Sequence, residues 1–159
     1  MILRIQTLYF FMIFALGSIL FMENPIVNEL SYQSNGEEFM EFTQFWSGAA
    51  INTDTPRPIW KTDTWHCVML SLLTLSGVLA IFLSRRIKIQ MVLCVFSILN
   101  TLFLLSSLLI RFRLRTADLG STLIDYTETP HLLWFGLLFA FQFSAMRILW
   151  SERNREIPK

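Results

Sequence analysis

Charged side chains with the chemistry to bind each other lie in two distant segments of this sequence. One segment carries three carboxylates and the other carries three guanidinium groups. They are Glu37, Glu38, Glu41, Arg111, Arg113 and Arg115. Arginine and carboxylate groups form charge-assisted hydrogen bonds, often as bidentate pairs. The residue types therefore predict an interaction between the two segments, and the alternative, that the arginines bind phosphate groups of lipids, stays open.

A metal ion shared by His66 and His131 is the other chemistry that the residue types allow, with Asp63 or Cys67 as a third ligand. This spacing matches no recognised metal-ligand pattern. A histidine at the edge of an apolar segment is more often an amphipathic boundary residue. No acid, base and nucleophile occur at a catalytic spacing either. We therefore expect a protein without a metal, a cofactor or an enzymatic activity.

Four apolar runs must position these groups. A helix needs about 20 apolar residues to cross the roughly 30 Å hydrocarbon core of a bilayer, and it satisfies its own backbone hydrogen bonds. The runs are Leu8–Met22, Trp65–Leu83, Ile89–Ile110 and Leu132–Met146. With their flanks they predict spans at about 5–22, 65–84, 88–110 and 131–150 and outer loops at 23–64 and 111–130. The predicted fold is one all-α membrane domain over residues 1–159, a bundle of four transmembrane helices, with three spans as the alternative.

The first run also has features of a secretory signal. Arg4 provides a short basic segment before the apolar run Leu8–Met22. A cleaved signal normally ends at a small-residue site such as Ala-x-Ala, and the run is followed by Glu23 and Asn24 instead. We expect the run to be retained as a transmembrane helix.

The charges around the runs predict an orientation. Eight Lys and Arg residues lie on the side of both termini and five on the opposite side, although the net charge of the chain is only +1. The turn with Arg85, Arg86 and Lys88 has the most weight, because the positive-inside rule applies most strongly to short loops. We therefore expect both termini in the cytoplasm. Orientation explains these cations, so no nucleic-acid partner is expected.

The deepest polar residues of the spans are uncharged. Two of these polar residues are amides, and small residues recur every four positions on the second and fourth spans. These residues are Asn100, Gln142, Gly136, Ala140, Ser144, Ser76 and Ala80. Small residues let helix backbones approach closely in a membrane, and amides hydrogen-bond between helices. We expect this set to hold the bundle together, and we expect no transport pathway because the spans lack buried carboxylates and proline breaks.

The two outer loops are long enough to form structure of their own. In Glu37–Trp46, aromatic residues recur every third position, which suits a short interfacial helix and an extended strand, and we favour the strand. Ser34 and Glu37 also fit a helix capping box. The alternation in Arg111–Arg115 indicates an extended segment with its three guanidinium groups on one face. We expect the two loops to form a small cap over the bundle, and short β-strands are compatible with this cap.

Two segments carry a resemblance to a known family. They are the opening MILRIQTLY, Met1–Tyr9, and the second hairpin RRIKIQMVLC, Arg85–Cys94. Together with the order and spacing of the spans, they resemble a bacterial four-span membrane family catalogued as domain of unknown function 4293. The resemblance implies a bacterial cytoplasmic membrane and four helices, and it brings no known activity. The short tail Ser151–Glu156 departs from the longer tail of that family.

Two functions are compatible with this sequence. The first is a non-enzymatic accessory, scaffold or assembly subunit of a bacterial envelope complex, in contact with the lipid bilayer and with other membrane subunits or a second copy of itself. The alternative is a protein that handles a small molecule or a lipid in a pocket near the outer leaflet, close to Trp65, His66, His131 and Trp134. The sequence does not identify the partner, the ligand or the process.

Overall fold

Four long helices form most of the described part of the protein. A computed structural model describes residues 5–23, 26–34, 37–44, 47–52, 59–119, 123–128 and 133–156. The helices are α1 (Ile5–Glu23), α2 (Thr64–Phe82), α3 (Ile87–Leu119) and α4 (Leu133–Glu156). Each is long and apolar enough to cross a membrane. The four predicted transmembrane helices are therefore confirmed.

The helices pack as an antiparallel bundle. α1 contacts α2, α2 contacts α3, α3 contacts α4, and α4 returns to contact α1. The core of the bundle is apolar, with Phe10, Leu73, Leu104 and Leu138 among its fully buried side chains. Many large apolar side chains on the outer faces of the same helices are exposed. Such surfaces are suited to contact with lipid chains, because the interior of a bilayer is as apolar as these side chains.

Two glycines allow α1 and α2 to approach closely. A Cβ atom added at Gly77 would lie 3.1 Å from the backbone nitrogen of Phe14 and 3.3 Å from the carbonyl oxygen of Phe10. A Cβ atom at Gly17 would lie 3.0 Å from Oγ1 of Thr74. Backbone atoms cannot move aside as a flexible side chain can, so the contact at Gly77 depends on the missing side chain.

The predicted small residues of α2 are also buried. Ser76 and Ala80 both lie inside the bundle. The side-chain amide of Gln90, on α3, donates a hydrogen bond of 2.9 Å to the carbonyl oxygen of Ala80. The small side chains thus leave room for a polar contact between α2 and α3.

Both predicted amides form hydrogen bonds between helices. Nε2 of Gln142, on α4, donates to Oγ of Ser97 and to Oγ1 of Thr101 on α3, each over 2.8 Å. Nδ2 of Asn100, on α3, donates to the carbonyl oxygen of Met69 on α2 over 2.7 Å. These contacts join three of the four helices at the middle of the bundle.

The small-residue face of α4 requires a correction. Gly136 and Ala140 are exposed and Ser144 is half-buried, and a Cβ atom at Gly136 would meet nothing within 4 Å. The buried face of α4 consists of Phe135, Leu138, Gln142, Ala145 and Leu149. Because consecutive helical positions differ by about 100°, the small residues point away from this face. Gly136 and Ala140 therefore do not mediate packing between the described helices.

A five-stranded antiparallel sheet covers one end of the bundle. The strands are β1 (Ile26–Ser34), β2 (Glu37–Gln44), β3 (Ser47–Asn52), β4 (Ile59–Thr62) and β5 (Leu123–Glu128). Their order is β4-β3-β2-β1-β5. The first four strands lie between α1 and α2, and β5 lies between α3 and α4. The sheet is the predicted cap, built from both loops, and we call this end of the bundle the cap end and the opposite end the terminal end.

Two local predictions for the cap segments have opposite outcomes. The strand favoured for Glu37–Trp46 is confirmed over Glu37–Gln44. The capping box at Ser34 and Glu37 is wrong, because Ser34 ends β1 and pairs with Glu37 at the start of β2. Here the two residues belong to a β-hairpin and no helix begins between them.

The extended conformation predicted for Arg111–Arg115 is wrong as well. α3 continues without a break to Leu119 and has 33 residues. At 1.5 Å per residue it is about 50 Å long, so its last turns project beyond a hydrocarbon core of about 30 Å. Arginine and leucine are good helix formers, and extending an existing helix adds a hydrogen bond for each residue.

Candidate functional site at the cap end

The first turn of α2 and the last turns of α3 meet under the sheet. α2 begins directly after β4, and Asp63 separates the two elements. Asp63 is the N-cap of α2, since its Oδ1 accepts a hydrogen bond of 3.2 Å from the backbone nitrogen of His66. The cap fixes both the start of the helix and the position of the Asp63 carboxylate.

Arg111 joins this helix start to α3. Nη2 of Arg111 contacts Oδ2 of Asp63 and lies 2.9 Å from Nδ1 of His66. On the other side of the buried imidazole ring, Nε2 lies 2.6 Å from Oγ of Ser107. That hydroxyl donates to the carbonyl oxygen of Leu104 over 3.0 Å. Because the hydroxyl of Ser107 donates to Leu104, it is able to accept a hydrogen bond from Nε2 of His66. Nδ1 of His66 lies 2.9 Å from Oδ2 of Asp63 as well as from Nη2 of Arg111, so the ring contacts both members of that ion pair.

Arg115 lies one helical turn further along α3 and binds the sheet. Its Nη2 and Nε atoms lie 2.7 Å and 2.9 Å from Oε2 of Glu41 on β2. Its guanidinium carbon lies 5.4 Å from the ring centroid of Tyr32 on β1. Tyr32 in turn stacks on Phe39, with ring centroids 5.5 Å apart. A charged hydrogen-bonded pair and a cation–π contact thus attach the sheet to α3.

The structure brings together one of the predicted pairs and supplies a different partner for another arginine. Glu41 and Arg115 are in contact as the residue types suggest. Arg111 pairs with Asp63, which sequence reasoning considered only as a metal ligand. The local signal for Asp63 as an N-cap was an aspartate two residues before the start of the apolar run at Trp65.

The remaining predicted residues lie away from these pairs. Arg113 is exposed on α3 and lies on a different face from Arg111 and Arg115, because residues two positions apart on a helix point about 200° apart. Glu37 and Glu38 are exposed at the start of β2. The single shared face predicted for the three arginines does not form in a helix.

A cavity of about 680 Å³ lies between the sheet and the ends of α2 and α3, and we call it the cap cavity. It is lined by Tyr32, Glu41, Phe42, Thr43, Ser47, Ala49, Ala50, Thr62, Asp63, Thr64, Trp65, Arg111 and Arg115. Both ion pairs are part of its wall. Ligand pockets in proteins commonly have volumes of about 300–1,000 Å³, with a few polar groups that orient the ligand.

The predicted pocket near four boundary residues is only partly reproduced. Trp65 lines the cap cavity and is exposed. His66 is buried next to its wall and contacts Arg111. Trp134 packs against the core of the bundle, and His131 lies outside the described residues. Among the described residues, no group of three His, Cys, Asp or Glu side chains is arranged to hold a metal ion.

The predicted basic turn lies at the terminal end. Arg85 and Arg86 are exposed in the connection between α2 and α3. Lys88 is exposed in the first turn of α3. The carbonyl oxygen of Arg86 accepts hydrogen bonds from the backbone nitrogens of Ile89 and Gln90, so it closes the first turn of α3. The three cations therefore lie at helix ends, opposite the cap cavity.

The chain matches a known protein family over most of its length. The model of the family described as Domain of unknown function (DUF4293) matches residues 2–149. The chain belongs to this family. The match confirms the resemblance seen in the sequence, and it includes every residue that lines the cap cavity. No curated protein matches the chain. Since the description of DUF4293 states no activity, the function has to be inferred from the geometry of the site.

Proposed function

We propose that this member of DUF4293 is a non-enzymatic membrane protein that binds a small zwitterionic molecule in the cap cavity. The observation that carries the proposal is the placement of two separate ion pairs, Asp63 with Arg111 and Glu41 with Arg115, in the wall of one cavity. The wall therefore presents both signs of charge within a short distance of each other.

The exposure of these groups supports exchange with a ligand. The side chains of Arg111 and Arg115 are 37% and 39% exposed, and those of Asp63 and Glu41 are 24% and 23% exposed. Partly exposed ion pairs contribute only about 0–1 kcal/mol each, so a ligand with its own anionic and cationic groups can replace part of each contact at small cost. A molecule that carries groups of both signs matches the wall.

The arrangement around His66 favours binding over catalysis. His66 is buried beside the cavity wall, and both of its ring nitrogens already have partners, Nδ1 in Asp63 and Arg111 and Nε2 in Ser107. A general base needs a free nitrogen within reach of the proton that it removes. The contacts of His66 are instead suited to holding Arg111 in position.

A ligand-dependent stability measurement tests the proposal. The probe is phosphoethanolamine, a small molecule with an anionic and a cationic group. Inorganic phosphate and ethanolamine, which each carry charge of one sign only, are the comparisons. In detergent, phosphoethanolamine is expected to raise the melting temperature of the wild-type chain more than either comparison does, because a ligand stabilises the state that it binds.

A matched pair of variants separates the cavity from general charge effects. The double variant Glu41→Gln with Arg115→Gln removes one ion pair without changing net charge, and it is expected to lose the effect. The variant Arg113→Gln changes an exposed arginine of the same helix. This variant is expected to keep the rise in melting temperature with phosphoethanolamine. An equal rise with all three probes, or an undiminished rise in the double variant, would disprove the proposed site.

A second candidate function is an accessory, scaffold or assembly subunit of a bacterial envelope complex. The observation that favours it is the exposed small-residue face of α4 at Gly136 and Ala140, where another helix could approach closely. Purification in mild detergent with a stoichiometric partner or as a defined oligomer, lost in Gly136→Leu, would favour this function. A monomer that retains its ligand would favour the cap-cavity function.

A further inference from the structure

A second cavity lies at the terminal end, on the outer surface between α3 and α4. It has a volume of about 770 Å³. Lys88 and Arg153 lie at one end of it, and Val92, Val95 and Leu99 extend along it. We propose that this α3–α4 groove binds a phospholipid with an anionic headgroup. The proposal is independent of the cap cavity, which lies at the other end of the bundle.

The polar end of the groove carries two cations from two helices. Lys88 is exposed in the first turn of α3, and Arg153 is exposed near the end of α4. The guanidinium carbon of Arg153 lies 5.9 Å from the ring centroid of Trp150, a contact that orients the arginine. In the part of the chain that the structure describes, neither cation forms an ion pair. Both cations line the same groove, so a phosphate group bound at this end would lie close to positive charge from two helices.

The apolar part of the groove has the length of a lipid chain in one leaflet. Val92, Val95 and Leu99 are 67%, 46% and 60% exposed. Lys88 and Leu99 are eleven helical positions apart, which corresponds to about 16 Å at 1.5 Å per residue. Half of a hydrocarbon core of about 30 Å is nearly the same distance. A headgroup at Lys88 therefore places its acyl chain along the groove as far as the middle of the bilayer.

The charge at the polar end favours an anionic lipid over other occupants. A zwitterionic headgroup would bring its own cation close to Lys88 and Arg153. A helix of a second copy would cover Val92 and Leu99, and the exposed cations next to them favour an occupant that carries an anion at the end of an apolar chain. Basic pockets between transmembrane helices are suited to anionic headgroups, and Trp150, next to Arg153, is of a residue type that is common at membrane interfaces.

The test is lipid binding by native mass spectrometry of the purified chain in detergent. Phosphatidylglycerol and phosphatidylcholine with identical acyl chains are added separately, and glycerol phosphate serves as a headgroup without chains. The wild-type chain is expected to bind phosphatidylglycerol more tightly than phosphatidylcholine, and glycerol phosphate at the same concentration is expected not to compete. Equal binding of the two lipids, or competition by glycerol phosphate, would overturn the proposal.

Three variants locate the site. Each cation near an anionic headgroup contributes about fivefold in affinity, so Lys88→Gln with Arg153→Gln is expected to weaken phosphatidylglycerol binding about thirty-fold. Arg85→Gln with Arg86→Gln removes the same charge from the neighbouring turn. This double variant is expected to change the affinity for phosphatidylglycerol by less than about threefold. Val95→Trp fills the exposed groove, keeps both cations and is expected to weaken binding as well. An equal loss in both double variants, or unchanged binding in Val95→Trp, would show general attraction to the basic end and refute the groove.

Discussion

Replacing Gly77 with leucine tests how closely α1 and α2 pack. A first side-chain atom at this position would already lie 3.1–3.3 Å from Phe14 and Phe10, and two of the three nearest atoms belong to the backbone of α1. A leucine adds further atoms in the same direction. The helices must separate to accept it, so Gly77→Leu is expected to destabilise the folded chain.

The magnitude follows from comparison with Gly136→Leu on α4. Replacing glycine with leucine inside a helix gains about 0.8 kcal/mol in helix propensity at both positions. Overpacking typically costs about 1–3 kcal/mol, and backbone neighbours put Gly77 at the upper end of that range. Gly136 has no neighbour within 4 Å of its Cβ position and avoids this cost. The two variants are therefore expected to differ by about 3 kcal/mol, since the propensity gain cancels in the comparison.

The assay is unfolding of each purified variant in mixed micelles with increasing dodecyl sulfate, followed by circular dichroism. Gly77→Leu is expected to unfold at a lower denaturant fraction than the wild-type chain, and Gly136→Leu at an equal or higher one. If Gly77→Leu unfolded at the same denaturant fraction as the wild-type chain or at a higher one, the close approach of α1 and α2 would be wrong. If both were equally destabilised, the outward orientation of Gly136 would be wrong.

Two other contacts lead to predictions in the same assay. The ion pair between Glu41 and Arg115 is partly exposed, so a double-mutant cycle with glutamine at each position is expected to give a coupling of about 0.5–1 kcal/mol, falling at high salt; a coupling of zero would mean that the pair does not attach the sheet to α3. Gln142→Leu removes the two hydrogen bonds to Ser97 and Thr101 and is expected to lower stability by about 1 kcal/mol; unchanged stability would indicate that apolar packing alone holds α3 against α4.

The helices were predictable because a bilayer imposes a simple requirement on sequence. Each span needs a long apolar run, and all four runs are readable without knowledge of their neighbours. The orientation of a helix about its own axis was not readable in this way. Gly136 and Ala140 have the spacing of a packing face, yet they are exposed, because exposed and buried faces of a membrane helix are both apolar.

The site was only partly predictable because its pairs join distant parts of the chain. Arg111 and Asp63 are separated by 48 positions, and several other carboxylates lie in the same loop. The alternation in Arg111–Arg115 indicated a strand, but a helix that already extends through the membrane continues more easily than it stops. Once these residues are helical, positions 111 and 115 share a face and 113 does not, which selects the two arginines that reach Asp63 and Glu41.

The position of β5 in the sheet has a consequence for biosynthesis. β1 pairs with β5 along one edge, and Asn28 lies opposite Glu128, about a hundred residues later in the chain. When the first two spans have been synthesised, β1 already has β2 on one side but still exposes hydrogen-bonding groups on the other. An open strand edge of this kind can pair with another chain. The cap is therefore complete only after the third span has been inserted, and a truncated product is expected to aggregate through β1.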